Sequence, residues 1–325
     1  MTDLFIADAI WSNFTPDCFD RPMGGSELEI VLITEALAAE GLKVVVGSRA
    51  QESFERNGVS YVHVSEGAKL IGQSKSLWIQ RNTAFANEFS GRIIVRVTDP
   101  RYGQPYDWNL LARPQTTLVT VSDWQRKTFT CPIANHQTIY PPCLPINRRE
   151  GHVCGPNWVF TSHISKGWPA TLQIWKRLKK EGLIPPGKFL VGLFPREPLP
   201  PPEPDWAEFQ IKMYPNLVTP DQMREVLEDP TTDALFQVNT YPETFGMAQC
   251  WAVRAGLPVH ILCKAGLAGL AESLQGDGAT EDWSVFVHEI KAHVNGDAFQ
   301  HIYLGNLQDL SPKTRARKFR DVLGI

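Results

Sequence analysis

The sequence contains no G-x-G-x-x-G, no G-x-x-x-x-G-K-[ST] and no D-x-D. The first two absences remove the dinucleotide fingerprint and the P-loop, in which glycine-rich backbone cradles phosphate. The third argues against an obligatory Mg2+ or Mn2+ held by paired aspartates, so neither a metal nor a bound cofactor is expected. No apolar run approaches the roughly 18 residues that a membrane-spanning helix needs, and no transmembrane segment is expected. The only apolar stretch near the N-terminus carries Asp3 and Asp8, so no signal peptide is evident. The six cysteines, Cys18, Cys131, Cys143, Cys154, Cys250 and Cys263, stand far apart with no C-x-x-C. That spacing suits reduced thiols in a cytoplasm rather than a disulfide framework, and each reads as a small buried hydrophobe. Net charge is also small, −3 with a pI of about 6.3, so nothing global recruits the chain to polyanions or acidic membranes. His288 and His293 stand five apart on a helical segment. That is about 140° around a helix, too far for one metal-binding face, and the pair reads as surface decoration.

What is present is an ordinary globular composition, 43% hydrophobic and 21% charged over 325 residues. That length suits two domains of roughly 150 residues each. In the first half, short β-branched strands are expected at 4–10, 43–46, 60–64, 76–80, 93–98 and 117–121. Ser26 and Glu27 open a helix whose Leu28, Val31, Leu32, Ala36 and Leu37 recur at three and four residues, and Gly41 ends it. The irregular stretch 140–149, with two consecutive prolines, continues neither a helix nor a central strand. It reads as a linker dividing residues 1–147 from 148–325, with the C-terminal helix crossing back to the first domain. The second half repeats the alternation. Strands are expected at 158–161, 188–194, 234–238 and 258–263, and helices at 168–181, 220–227 and 246–255, with Thr219 as an N-cap. The proline-rich 195–204 reads as a stiff surface loop, and the basic 313–320 as a solvated helix face.

Four segments carry chemistry. Glu243-Thr244-Phe245-Gly246-Met247 places a carboxylate and a tight glycine turn between a strand and a helix start, and Gly256-Leu257-Pro258-Val259 opens the next strand. Free backbone N–H groups and the positive end of a helix dipole face the crevice at such a place, where an anionic, hydroxyl-rich ligand is accommodated. Gly24-Gly25-Ser26-Glu27 lets backbone approach a phosphate closely at another helix start. Val121-Ser122-Asp123-Trp124-Gln125-Arg126 runs from a strand into a helix capped by Ser122. Ser162-His163-Ile164-Ser165-Lys166-Gly167 repeats that layout and adds a lysine at a strand end.

In this order and spacing the four segments, together with the A-G-x-P-V at Ala255 to Val259, resemble the retaining nucleotide-sugar glycosyltransferases of the GT-B fold, in particular family four. The resemblance implies an α/β chain of two Rossmann-like domains facing each other across a cleft, with the acceptor on the N-terminal domain and the donor mainly on the C-terminal one. It implies a hexose moved from a nucleotide diphosphate sugar to a hydroxyl, with retained anomeric configuration and no metal. Carried over by motif, Lys166 pairs with the donor diphosphate, and Glu243 holds hydroxyls of the transferred sugar. The backbone of Phe245, Gly246 and Met247 meets phosphate at the helix N-terminus, Thr244 belongs to the same donor-binding stretch, and Gly24 and Gly25 close over the phosphates.

The departures are specific. The family's second glutamate, eight positions after the first, is here Trp251. The arginine that precedes the lysine is absent, leaving Ser162 and His163 on the donor side. The His-Asp pair of the first domain appears as Thr98-Asp99, which makes Asp99 the candidate for a polar contact with a sugar. The acceptor is open: a glycan, a lipid-linked or small molecule, or a hydroxymethylated base in DNA. For the last, Arg81, Arg92, Arg96, Arg101 and Arg113 would line a phosphate track. A non-catalytic nucleotide-sugar or glycan-binding module is the remaining reading, supported by Trp251 and the missing arginine.

Overall fold

Short strands of Val, Ile and Leu, buried on both faces, alternate along the chain with helices, the pattern that builds parallel sheets covered by helices. A computed structural model describes residues 1–8, 14–17, 20–50, 52–80, 83–86, 89–99, 108–130, 132–147, 154–195, 199–270, 274, 278–296 and 310–325. The chain divides into two compact units: Met1–Cys18, Gly25–Pro142 and Asp309–Ile325 form one, and Phe19–Gly24 with Cys143–Gln308 form the other. No helix among the described residues is long and apolar enough to cross a membrane.

The first unit is built from β1 (Thr2–Ala7), α1 (Gly25–Ala39), β2 (Val44–Ser48), β3 (Phe54–Arg56), β4 (Val59–His63), α2 (Val64–Ile71), β5 (Ser74–Gln80), β6 (Arg92–Val97), α3 (Trp108–Leu111), β7 (Thr116–Thr120), α4 (Asp123–Lys127) and β8 (Asn135–Thr138). Its described strands form one sheet in the order β3-β4-β2-β1-β5-β6-β7-β8. All neighbours are parallel except β3, which pairs antiparallel with β4. The β3–β4 turn is Asn57-Gly58, both with positive φ (46° and 79°), the combination a two-residue type I′ hairpin requires. The chain runs outward from β1 to β3, then returns to β5 on the other side of β1, so the topological switch lies between β1 and β5.

Helix α1 buries Leu28, Ile30, Val31, Leu32, Ile33 and Leu37. It is apolar nearly all round because the sheet meets one side and the terminal helix Pro312–Leu323 the other. On that terminal helix Phe319 stacks on Trp78, with ring centroids 4.3 Å apart. Arg317 and Arg320 both reach Glu40, at 3.1 and 3.0 Å. The expected solvated basic face is therefore corrected in part, since Arg315 is buried. Arg96 corrects the phosphate track in the same way. It is fully buried, pairs with Glu29 on α1 and donates to Thr120 O (2.8 Å), so it is a core strut with no surface to offer a nucleic acid. Arg81 and Arg101 lie outside the described residues.

The second unit comprises β9 (Asn157–Thr161), α5 (Trp168–Lys180), β10 (Phe189–Leu193), β11 (Ile211–Met213), α6 (Pro220–Glu228), β12 (Thr232–Asn239), α7 (Met247–Arg254), β13 (Val259–Cys263), β14 (Ala279–Thr280) and the helix Trp283–Val294. The described strands are all parallel, in the order β11-β10-β9-β12-β13-β14, so the switch lies between β9 and β12. Thr219 caps α6 through a full capping box with Gln222. Trp158, Phe160, Trp168, Trp175, Phe194, Phe236 and Phe286 form one aromatic core, each buried ring contributing roughly 1.5–3 kcal/mol. Cys143, Cys250 and Cys263 are buried, whereas Cys154, in the irregular segment before β9, is exposed against expectation. Cys18 and Cys131 lie outside the described residues.

At the N-terminal ends of these strands a buried carboxylate gathers donors. Asp233 Oδ2 accepts from Trp158 Nε1 (2.7 Å), Lys188 Nζ (2.7 Å) and His293 Nε2 (3.1 Å). His293 Nδ1 in turn stands 2.8 Å from His260 Nε2. The expectation that His293 decorates the surface is wrong: it is only 3% exposed, because its helix lays this side chain into the core while His288 stays outside. Burial alone would push the Asp233 carboxyl up, but the hydrogen bond and charge of His293, with the hydrogen bonds from Lys188 and Trp158, outweigh it and hold the group at about 2. Against an ordinary 3.8 that shift is worth about 2 kcal/mol, fully present above pH of about 4 and lost as pH falls from there toward about 2. Urea unfolding at pH 5 and pH 2 should show wild type losing about 2 kcal/mol more than Asp233→Asn over that interval; equal losses in the two proteins would contradict this role.

Candidate functional site

In open α/β sheets ligands bind outside the carboxyl ends of the strands, at the switch point. In the second unit that place is the end of β9 and β12. Beyond β9, His163 turns the chain by accepting Ser165 N–H at Nδ1 (3.2 Å), which caps the short 3₁₀ turn Ile164–Lys166. Gly167 follows at φ 138°, and a Cβ there would overlap the Val238 carbonyl. Only glycine lets this turn lie flat on β12, where Lys166 O also accepts Thr240 N–H (3.2 Å). The result is that Lys166 Nζ stands 2.7 Å from Glu243 Oε2, 77 positions away, with side chains 33% and 12% exposed. Tyr241 flanks the pair, its ring centroid 5.8 Å from Lys166 Nζ. An ion pair this exposed is worth about 1 kcal/mol or less, so an anionic ligand can part it at little cost.

Glu243 is followed by buried Thr244 and Phe245 and by Gly246, whose left-handed conformation (φ 81°, ψ 64°) starts α7. Gly246 offers no side chain to cap the helix, so the first amides of α7 meet whatever lies at the strand ends. Within the first turn Gln249 Nε2 donates to Gln237 Oε1 on β12 (2.8 Å) and ties helix to strand. Trp251 is buried on the same helix, and its Nε1 has no hydrogen-bond partner among the described residues.

A third loop, which the sequence reading did not single out, completes the arrangement. It leaves β13 at Lys264, whose N–H donates to Asn239 O (2.8 Å), and turns back so that Gly269 N–H donates to Glu243 O (2.8 Å). A Cβ at Gly269 would overlap the Thr244 carbonyl, and one at Gly246 would overlap buried Leu270. The loop thus clamps the backbone that carries Glu243. The signal was available, since Gly266 and Gly269 follow a buried strand as the earlier glycines do. Cys263, at the strand end beside this loop, is no nucleophile: burial, helped by the charge of Glu281, pushes its thiol up to about 12.

In the first unit Gly25 opens α1, and Ser26 Oγ donates to Thr98 Oγ1 (3.0 Å), which also accepts from Gln80 Nε2 (3.4 Å) at the end of β5. Asp99 is partly buried, with its carbonyl held by Gln125 Nε2 (2.8 Å). Gln125 is fixed in turn, since its N–H donates to Ser122 Oγ (3.1 Å), the cap of α4. The sequence-selected residues therefore fall into two groups. Ser162, His163, Lys166, Glu243 to Met247 and Trp251 belong to the second unit, which also takes in Gly24; Gly25 and Asp99 belong to the first.

The clamp makes a steric prediction. Gly269→Ala should lower stability by about 1–3 kcal/mol through overpacking. Gly72→Ala is the control: Gly72 ends α2 at φ −63° with nothing within 4 Å of an added Cβ. It should be neutral or stabilising by roughly 0.4–1 kcal/mol. Chemical denaturation of both variants checks this, and a Gly269→Ala protein as stable as wild type would refute the clamp.

No protein-family model and no curated protein sequence matches the chain. Several solved structures do match it over nearly their full lengths. HepE (Alr3699) from Anabaena, solved in complex with UDP and glucose, has a TM-score of 0.67 at 12% identity, covering 100% of this chain and 99% of that one. The α,α-trehalose 6-phosphate synthase from Burkholderia multivorans gives 0.67 at 10% identity, covering 100% and 98%. AviGT4, a glycosyltransferase involved in avilamycin A biosynthesis, gives 0.59 at 12% identity, covering 100% and 99%. At such identities the likeness carries the architecture alone: the chain has the GT-B fold, with two Rossmann-like α/β domains.

Proposed function

We propose that this protein is a retaining glycosyltransferase that moves a hexose from a nucleotide diphosphate sugar to an acceptor hydroxyl, without a metal ion. The observation that carries the reading is the Lys166–Glu243 pair at 2.7 Å, seated at the switch point of a parallel sheet beside the uncapped start of α7. The GT-B fold shared with glycosyltransferase structures, one of them holding UDP and glucose, supports it.

In the reaction, the bond between the sugar's anomeric carbon and the diphosphate oxygen breaks, and negative charge grows on that oxygen. Lys166 turns from Glu243 to this charge, and the amides of Phe245, Gly246 and Met247 add their dipoles, fixed before the reaction begins. Glu243, released, accepts hydrogen bonds from the sugar hydroxyls. The acceptor oxygen bonds the anomeric carbon on the face the diphosphate leaves. Its proton passes to the leaving phosphate oxygen, so no separate general base is required and configuration is retained. Asp99, in the other unit, is assigned a polar contact with a sugar.

Two substitutions separate the roles. Glu243→Gln should reduce transfer at least about 100-fold while changing nucleoside diphosphate affinity little, because it removes a contact to the transferred sugar and not to phosphate. Lys166→Ala should instead weaken binding of UDP, GDP or ADP, whichever the wild type prefers, by roughly tenfold or more. Calorimetric titration with nucleoside diphosphates, beside a donor-consumption assay, reads both. Loss of nucleotide affinity in Glu243→Gln, or unchanged affinity in Lys166→Ala, would overturn the assignment.

A further inference from the structure

Lys166 brings one positive charge to its strand end, and Glu243 cancels it at 2.7 Å. The start of α7 adds the equivalent of about half a charge. A bound diphosphate carries about two negative charges or more, so the pair and the helix together leave most of it uncompensated. The question is whether another cation stands at the same place.

Lys264 does. The backbones of the two lysines bracket the end of β12. Lys166 O accepts from Thr240 N (3.2 Å) on the β9 side, and Lys264 N donates to Asn239 O (2.8 Å) on the β13 side. Since Asn239 and Thr240 are consecutive, the two residues are held to one short stretch of chain, three residues before Glu243. Lys264 is exposed, directly after a strand buried along its whole length, and it forms no ion pair with any described residue. Glu281, the carboxylate that reaches into the following loop, accepts Leu267 N–H instead (2.9 Å). The loop that begins at Lys264 is the one whose Gly269 clamps the Glu243 backbone, so this lysine moves with the site and not independently of it.

We propose that Lys264 is a second cationic binding residue for the diphosphate of a nucleotide sugar, supplying the charge that the Lys166–Glu243 pair does not. The inference rests on the glycosyltransferase reading and deepens it. Lys264 balances charge on the phosphate next to the sugar, the one a nucleoside monophosphate lacks, and takes no part in proton transfer. Its effect should therefore scale with the number of phosphates and not with the sugar.

The test is calorimetric titration of wild type, Lys264→Ala, Lys264→Arg and Lys166→Ala with UDP, GDP and ADP and with the matching monophosphates, at low and high salt. Lys264→Ala should weaken the preferred diphosphate about tenfold and its monophosphate less than about threefold, as expected for losing one charge-assisted contact. Lys264→Arg should restore affinity, and the salt dependence of diphosphate binding should flatten in Lys264→Ala but not in Lys264→Arg. Thermal unfolding of Lys264→Ala should match wild type, because the residue is exposed and makes no ion pair with a described residue. Wild-type diphosphate affinity in Lys264→Ala, with weakened binding in Lys166→Ala, would overturn the Lys264 proposal and leave the functional reading standing. Failure of wild type to bind any of the three diphosphates would overturn both.

Discussion

The ion pair between Lys166 and Glu243 depends on two loops that are pressed, at three points, against the end of β12 and the segment that follows it. Neither loop is held there by its side chains alone. Gly167 lies on the Val238 carbonyl, Gly269 lies on the Thr244 carbonyl, and Lys264 is bonded through its N–H to Asn239 O. Two of these contacts demand the absence of a Cβ, so the placement of a charged pair is decided by uncharged backbone geometry. A carboxylate and an ammonium on freely moving loops would sample many separations. Here their main chains are fixed and only the side chains remain to rearrange, which is the form of preorganisation that lets a weak, solvent-touched pair exchange partners readily.

The opposite ends of the same strands solve a different problem. Trp158, Asp233 and His260 sit where β9, β12 and β13 begin, and the carboxylate there is buried, multiply hydrogen-bonded and held strongly acidic. A buried charge is tolerated only with such partners. The sheet is thus tied down by a buried polar network at one end and leaves its loops at the other end to carry chemistry. In the first unit a buried pair lies instead at the carboxyl ends of the strands, where Arg96 near the end of β6 joins Glu29 of α1 and the last carbonyl of β7, at Thr120.

Much of this was legible in the residues, for physical reasons that can be named. Buried parallel strands such as Ile93-Ile94-Val95 declare themselves through continuous β-branched runs, and helices such as α6 through a capping threonine with glutamine three residues on. Lys166 and Glu243 stood out as charged residues beside glycine turns at strand ends, before anything indicated that they touch. Other elements were missed because their signals are weak or of another kind. Strand β8, Asn-His-Gln-Thr, is a polar edge without an apolar run, and β14 is only two residues long. The β3–β4 hairpin was announced by Asn57-Gly58 and overlooked in favour of hydrophobic periodicity. Arg96 and His293 were misplaced because a charged or titratable residue is exposed by default, and only tertiary partners, Glu29 and Asp233, make its burial affordable. The Lys264 to Gly269 loop was passed over because its work is done by backbone, which leaves little trace in side-chain chemistry.

The central claim is that Lys166 and Glu243 exchange one another for a ligand. A crystal structure of the protein soaked with its preferred nucleotide diphosphate sugar addresses it most directly. The account predicts a phosphate oxygen within hydrogen-bonding distance of Lys166 Nζ, a sugar hydroxyl on the Glu243 carboxylate, and the two side chains parted beyond ion-pair range, about 4 Å. A donor bound elsewhere in the second unit, with the pair still closed at 2.7 Å as it is in the free protein, would contradict it.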